Sequence, residues 1–162
     1  MTRNTFDAGG RTQWQRLFIL GTALVVSASV ARAQSAARAD SAFERSDWAT
    51  AAREYAVLAD RDTTNLRARF RLGVALFEQR QFRAAIPAFE RSVRNGFQVA
   101  QAEMRMARAQ TQLGARDSAL THLKRAIDAG VRLEVVTAQD DLAPLRGDFR
   151  YERLVKVLED TQ

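Results

Sequence analysis

The sequence predicts an all-α solenoid of three helix-turn-helix repeats followed by a C-terminal capping helix. Similar residue types return at a fixed period, each repeat unit holds two segments with helical periodicity, and glycines stand where several of these segments end. The matching columns are Trp48/Phe82/Arg116, Ala51/Ala85/Ala119, Tyr55/Phe89/Leu123, Ala39/Gly73/Ala107 and Leu58/Ser92/Ala126. A fixed period of this size predicts stacked units instead of one globular core.

The segment 1–33 has the pattern of a secretory signal peptide. Three arginines precede an apolar run over residues 17–30, and Ala31-Arg32-Ala33 forms a small-x-small cleavage pattern. As a helix, the apolar run would span about 21 Å, which is less than the roughly 30 Å of a bilayer core. We therefore expect cleavage after Ala33 and a periplasmic or secreted protein without stable membrane insertion. The alternative is an uncleaved N-terminal anchor.

The charge balance argues against a nucleic-acid partner. The chain has 25 basic and 19 acidic residues, but four arginines and one aspartate fall within the predicted signal peptide. The remaining 21 basic and 18 acidic groups are interspersed, as is typical of an ordinary soluble surface.

The residue types that usually build catalytic and metal sites are scarce. The chain has no cysteine, so thiolate metal sites and disulfides are excluded. His122 is the single histidine, and the adjacent acids Asp140 and Asp141 are not accompanied by a loop of further oxygen ligands. We expect no catalytic residue, no metal site and no cofactor, and we interpret His122 as a surface or partly packed side chain.

The second unit shows the predicted helix pair most clearly. Its first helix is predicted over residues 66–79 and its second over residues 82–94, where apolar residues recur at steps of three and four. Gly96 follows the second helix, and Gly130 repeats this stop at the equivalent position of the next unit. Glycine adopts the left-handed conformation that commonly ends a helix.

These residues resemble the tetratricopeptide repeat, whose signature combines Leu-Gly, large apolar, Ala and aromatic positions at set spacings. The second unit matches through Leu72, Gly73, Leu76, Phe82, Ala85 and Phe89. The resemblance covers about residues 35–133, so we assign three repeats to residues 34–133. Arg116 departs from the signature at its aromatic position, and the closing proline is absent from all three units.

A capping segment is predicted over residues 134–162, because a solenoid leaves an apolar end that needs a cover. Asp148 can cap a final helix. The residues that share the apolar face of this helix are Tyr151, Leu154, Val155 and Leu158. The segment before it is similar to a tail that follows the last repeat in many bacterial tetratricopeptide proteins, so, together with the signal-peptide pattern, we expect a bacterial, exported protein.

The resemblance also implies a peptide-binding groove, since in this family the first helices of the repeats line a concave surface where peptides dock. Here the corresponding faces combine guanidinium groups with Phe and Met side chains, and Arg and aromatic residues are enriched at binding hot spots. Arg71 and Arg105 occupy equivalent positions in successive repeats and are placed to grip one carboxylate. The candidate groove residues are Phe43, Arg67, Phe70, Arg71, Phe77, Met104, Arg105 and Arg108.

A second interpretation of these residues stays open. The phenylalanines can pack against neighbouring helices, and the arginines can be solvated or paired with Asp40 and Glu78. Chaperone-docking members of the family clamp a C-terminal carboxylate with Lys, Arg and Asn. Asp40 stands at one of those Asn positions, so that specific activity is not expected.

We expect a non-enzymatic adaptor or scaffold of the cell envelope that binds a protein or peptide, with an anionic or C-terminal segment favoured. The alternative is a structural subunit of a larger envelope complex, assembled through the ends of the solenoid. A glycan-processing enzyme ranks third, because no acid–base pair stands in a recognisable motif.

Overall fold

The computed structural model describes residues 33–161, which contain eight α-helices, one 3-10 helix and no β-strand. The helices are α1 (residues 33–44), α2 (Trp48–Arg61), α3 (Leu66–Glu78), α4 (Phe82–Arg94), α5 (Val99–Gln112), α6 (Arg116–Asp128), α7 (Leu133–Thr137), the 3-10 helix (Asp140–Leu145) and α8 (Phe149–Thr161). From α2 to α6 each helix packs against the next in the chain. The predicted fold class, an all-α solenoid with a C-terminal helix, is confirmed. The predicted signal peptide lies outside the described residues, apart from Ala33.

The turn between the two helices of each repeat has one backbone geometry. Ser46, Arg80 and Gly114 stand at equivalent positions, and all three have positive φ angles, of 58°, 61° and 74°. In the second repeat the Arg80 N–H donates to the carbonyl of Phe77, and the next N–H donates to the carbonyl of Leu76. This pair of hydrogen bonds satisfies carbonyls that the helix leaves open. The geometry therefore persists even where glycine is absent.

The repeated columns form the core. Ala51, Ala85 and Ala119 have no exposed surface, which allows the paired helices to approach closely. The large column beside them, Tyr55, Phe89 and Leu123, is at most 2% exposed. The small residues and the large residues of the repeat thus pack together inside each helix pair.

The C-terminal segment covers the apolar end of the third repeat. Leu142 and Leu145 of the 3-10 helix are buried, as are Tyr151 and Leu158 of α8, and all four belong to the same core cluster as α6. These contacts explain why the last repeat does not expose an apolar end.

Asp148 caps the N-terminus of α8, as the sequence predicts. Its carboxylate accepts hydrogen bonds from the side chain and the backbone N–H of Arg150. These bonds, with the Arg150 and Arg116 charges, lower the pKa of Asp148 to about 2.

Arg116, which departs from the repeat signature, connects the third repeat to the tail. Its guanidinium donates to the carbonyl oxygen of Pro144 at 3.0 Å and lies 3.6 Å from the Asp148 carboxylate. An aromatic ring at this position could not make these polar contacts.

Candidate functional site

A cleft of about 390 Å³ opens between the first helices of the three repeats. Its lining residues are Phe43, Arg67, Phe70, Arg71, Val74, Phe97, Gln98 and Arg105. Five of the eight predicted groove residues therefore lie together, on α1, α3 and α5. The other three lining residues come from α3 and from the connection between α4 and α5.

The aromatic rings that line the cleft are held in place by edge-to-face contacts with other aromatic rings. Phe43 makes an edge-to-face contact with Tyr55, with ring centroids 5.9 Å apart. Phe70 makes similar contacts with Phe89 at 5.7 Å and with Phe97 at 5.9 Å. Phe43 and Phe70 thus pack against neighbouring rings and also line the cleft. Rings fixed in this way present a rigid apolar surface.

Arg71 is the centre of a polar network on the α1 side of the cleft. Its Nη1 donates to Oδ1 of Asp40 at 2.6 Å and to the hydroxyl of Tyr55 at 2.8 Å. The Tyr55 hydroxyl donates to the same Asp40 oxygen at 2.5 Å, and Arg67 donates to the other oxygen at 3.2 Å. The Arg71 guanidinium also lies 5.0 Å from the centre of the Phe43 ring.

This network shifts the titration of its members. Burial and the hydrogen bond to Asp40 raise the pKa of Tyr55 to about 12. Burial alone would lower the pKa of Arg71, but hydrogen bonds and charges from Tyr55 and Asp40 outweigh it and raise that pKa. Both groups therefore keep the hydrogen bonds that hold Asp40 in place at neutral pH.

Arg105 occupies the opposite side of the cleft. Its Nη1 donates to Glu78 at 3.2 Å, and its guanidinium lies 5.6 Å from the centre of the Phe77 ring. Burial lowers the pKa of Arg105, and the nearby Glu78 carboxylate opposes the shift. The cleft and its ion-pair partners thus hold three guanidinium groups against the two carboxylates of Asp40 and Glu78.

The remaining three predicted groove residues lie outside this cleft. Phe77 and Met104 are each 5% exposed and belong to the core, where Phe77 packs edge-to-face against Phe82 at 5.2 Å. Arg108 instead binds the tail, with its Nε 2.8 Å and 2.9 Å from the two oxygens of Asp141. Phe77 is therefore a packed core residue, and Arg108 is part of an ion pair.

The 3-10 helix packs against α5 beyond the cleft. Besides the Arg108 contact, the side-chain amide of Gln112 donates to the Asp141 carbonyl at 3.1 Å. The sequence predicts a poor metal site at the Asp140–Asp141 pair, and in the structure Asp141 holds the tail on the third repeat.

Phe97 and Gln98 were not predicted as part of the site. The backbone of Phe97 closes the end of α4, with its N–H donating to the Ser92 carbonyl at 3.0 Å. Its ring then turns towards Phe70, and Gln98 follows with a φ of 49°. The signal was an apolar residue after Gly96, which identifies a helix end but not the direction of the ring.

Glu103 was also not singled out from the sequence. It is 2% exposed, and its carboxylate lies 2.7 Å from Nδ1 of His122. His122 is therefore partly packed, as expected, with a buried acid as its partner. Within residues 33–161, no group of three or more His, Asp or Glu side chains is arranged to hold a metal ion.

Comparison with known families identifies the repeat. The model of the tetratricopeptide repeat matches residues 36–96 and again residues 75–133, which together span more than half of the chain. The chain belongs to the tetratricopeptide repeat family. No curated protein matches it significantly. Tetratricopeptide repeats generally mediate protein–protein interactions and are typically non-catalytic, which supports an adaptor or scaffold role.

In the part of the chain that the structure describes, no helix combines the length and apolar character that a bilayer span requires. The partners that the tetratricopeptide repeats indicate are proteins.

Proposed function

We propose that this tetratricopeptide protein is an envelope adaptor that binds a segment of a partner protein in the cleft between α1, α3 and α5. The observation that carries the proposal is the combination of anchored aromatic rings and guanidinium groups contributed by the first helices of all three repeats. The cleft has a volume of about 390 Å³, which is within the range of pockets that bury a ligand group.

The chemistry of the cleft favours a segment with one apolar side chain beside a carboxylate. Phe43 and Phe70 offer apolar area, and the three cleft arginines exceed their two acidic partners in charge. Arg105 gains most from a second carboxylate, because it is partly desolvated and has one ion pair of 3.2 Å with Glu78.

A contact within the chain supports this preference. Arg108 stands three residues after Arg105 on α5 and binds the Asp141 carboxylate through both oxygens. An acidic side chain from another segment is thus held on the same row of arginines. A partner carboxylate on Arg105 would use the same hydrogen-bond chemistry.

Location in the envelope is part of the proposal and rests on the sequence pattern of residues 1–33. Expression of the full chain in a Gram-negative host, followed by fractionation and N-terminal sequencing, tests it. The proposal expects a periplasmic or secreted product that begins at Gln34. A product that keeps residues 1–33 in the cytoplasm would overturn export, without affecting the cleft.

The binding test requires a variant that changes the cleft without damaging the core. Arg71 is unsuitable alone, since a glutamate there would face Asp40 and leave Tyr55 with a changed partner. Arg67 is better, because its side chain is 60% exposed and its ion pair with Asp40 is a surface one. The matched control is Arg83→Glu on α4, which is exposed and does not line the cleft.

Partners are captured from envelope extract with the full chain, and each is then titrated by calorimetry against wild type and both variants. We expect Arg67→Glu to weaken binding roughly tenfold, as loss of charge complementarity at an interface does, while Arg83→Glu leaves it unchanged. Equal affinities for all three proteins would refute binding at the cleft.

A further inference from the structure

A second groove lies between α6 and α8, away from the cleft of the first helices. Its volume is also about 390 Å³. We call it the C-terminal groove, and its lining residues are Asp117, Leu120, Thr121, Lys124, Arg150, Arg153 and Leu154. The walls are therefore two helices, with lining positions spaced three and four residues apart along each.

The floor of the C-terminal groove is apolar. Leu120 is buried, and Leu154 is partly buried against the same core cluster. On α8 the apolar character extends outwards, because Val157 is 48% exposed and Phe149 is 71% exposed. Phe149, Arg153 and Val157 recur at four-residue steps and so share one side of the helix. This side carries the most exposed large apolar residue of the described chain.

The rim of the C-terminal groove carries three basic residues, Lys124, Arg150 and Arg153, and one acidic residue, Asp117. Arg150 is held by Asp117 at 2.8 Å and by Asp148 at 2.9 Å. Lys124 pairs with Asp128, but both side chains are about 60% exposed, and such surface pairs are weak and exchangeable. Arg153 has no hydrogen bond or ion pair within residues 33–161. Lys124 and Arg153 therefore remain available to a ligand from opposite walls.

We propose that the C-terminal groove binds an acidic amphipathic helix of a partner protein. The apolar side chains of the partner helix contact Leu120, Leu154 and Val157, and the carboxylates of the partner helix contact Lys124 and Arg153. A helix is the fitting shape, because a groove between two helices accepts side chains spaced at three and four residues. The two available cations, Lys124 and Arg153, select the acidic sequence.

Charge disfavours two other occupants. A second copy that docked through the same face would set two patches against each other that each carry three basic groups and one acidic group. Residues 1–32 of this chain contain four arginines and one aspartate, so they carry the same sign as the rim. An acidic segment of another protein is the complementary occupant.

This inference does not rest on the proposed function of the cleft. The two sites share no lining residue, so one partner on each site is compatible with an adaptor role. Failure of either binding test leaves the other standing.

The test uses the full chain and a labelled synthetic peptide of roughly four helical turns, with leucine on one face and glutamate on the other. A matched peptide replaces every glutamate with lysine, and fluorescence anisotropy reports binding. The groove variant is Lys124→Glu/Arg153→Glu. The control variant is Arg91→Glu/Arg94→Glu on α4, which makes the same charge change at exposed residues elsewhere.

We expect the glutamate peptide to bind wild type and the control variant equally, and the groove variant roughly tenfold more weakly. The lysine peptide should not bind, and Arg67→Glu in the cleft should have no effect. Circular dichroism establishes that each variant keeps its helix content.

Three results would overturn the proposal. One is unchanged affinity of the groove variant for the glutamate peptide. Another is an equal loss in the control variant, which would mean that the peptide senses only total charge. The third is a dimer in sedimentation experiments that dissociates in the groove variant, which would assign the face to a second copy of this chain.

Discussion

The ring of Phe89 packs directly on the backbone of Gly73. A Cβ atom placed on Gly73 would lie 2.8 Å from Cε1 and 2.9 Å from Cδ1 of this ring, which is closer than normal van der Waals contact. Phe89 has no exposed surface, so its ring has little room to move away. The glycine of the second repeat is therefore required by its own partner helix, and not by a turn.

Gly73→Ala should destabilise the protein by about 1–3 kcal/mol through overpacking. In the third repeat, Ala107 is equivalent to Gly73 and Leu123 is equivalent to Phe89, so the repeat accepts alanine together with leucine. The double variant Gly73→Ala/Phe89→Leu should therefore recover part of this loss. Urea unfolding of wild type, both single variants and the double variant measures the coupling. Strictly additive effects would contradict direct contact between residues 73 and 89.

Phe89→Ala should cost about 3–5 kcal/mol, because a fully buried aromatic ring leaves a cavity. Phe149→Ala is the matched control, since this ring is 71% exposed and its removal should change stability by only about 0.5 kcal/mol or less. Thermal unfolding compares the two. A Phe89→Ala protein that melts within a degree or two of wild type would show that α4 is not packed as described.

Tyr55 should ionise near pH 12, because burial and then its hydrogen bond to Asp40 raise its pKa. Because the pKa is raised in the folded state, the contribution of protonated Tyr55 to the free energy of unfolding is complete below the ordinary tyrosine pKa of about 10. This contribution is lost as the pH rises towards 12. The absorbance titration of wild type minus that of Tyr55→Phe isolates this group from Tyr151. Ionisation of wild-type Tyr55 near pH 10 would contradict the network. The Asp40→Asn variant should lower the pKa of Tyr55, because the carboxylate that raises it is removed.

His122→Leu should destabilise the protein by about 1–3 kcal/mol, because it leaves the buried Glu103 carboxylate without its hydrogen-bond partner. Glu103→Leu/His122→Leu should be more stable than this single variant, since no polar group is then left unpaired. Denaturant unfolding distinguishes them. A single variant as stable as the double variant would show that the pair is energetically unimportant.

The fold was predictable because its determinants are local and repeated. The predicted second helix of the second unit, residues 82–94, coincides with α4, and the first, residues 66–79, ends one residue after α3. Contacts between neighbouring helices repeat with the sequence period, so columns such as Ala51/Ala85/Ala119 identify the core without coordinates.

The site was less predictable because helical spacing cannot resolve the direction of each side chain. Phe70 and Phe77 lie on the same helix two turns apart, yet Phe70 lines the cleft and Phe77 is buried. Arg108 pairs with Asp141, which lies far along the chain, and that contact depends on the path of a tail outside the repeats. Gln98 lies in the connection between α4 and α5 and has a positive φ, which no sequence motif predicted.

The central claim, that the cleft holds a partner segment, is tested most directly by site-specific photo-crosslinking. Benzoylphenylalanine is placed at Gln98 inside the cleft and, as a control, at Val57, which is 41% exposed and outside it. The full-length variants are irradiated in living cells that contain their natural partners. We expect a discrete crosslinked protein from position 98, none from position 57, and loss of the product when Arg67→Glu is added. Identical products from both positions, or none from position 98, would contradict binding at the cleft.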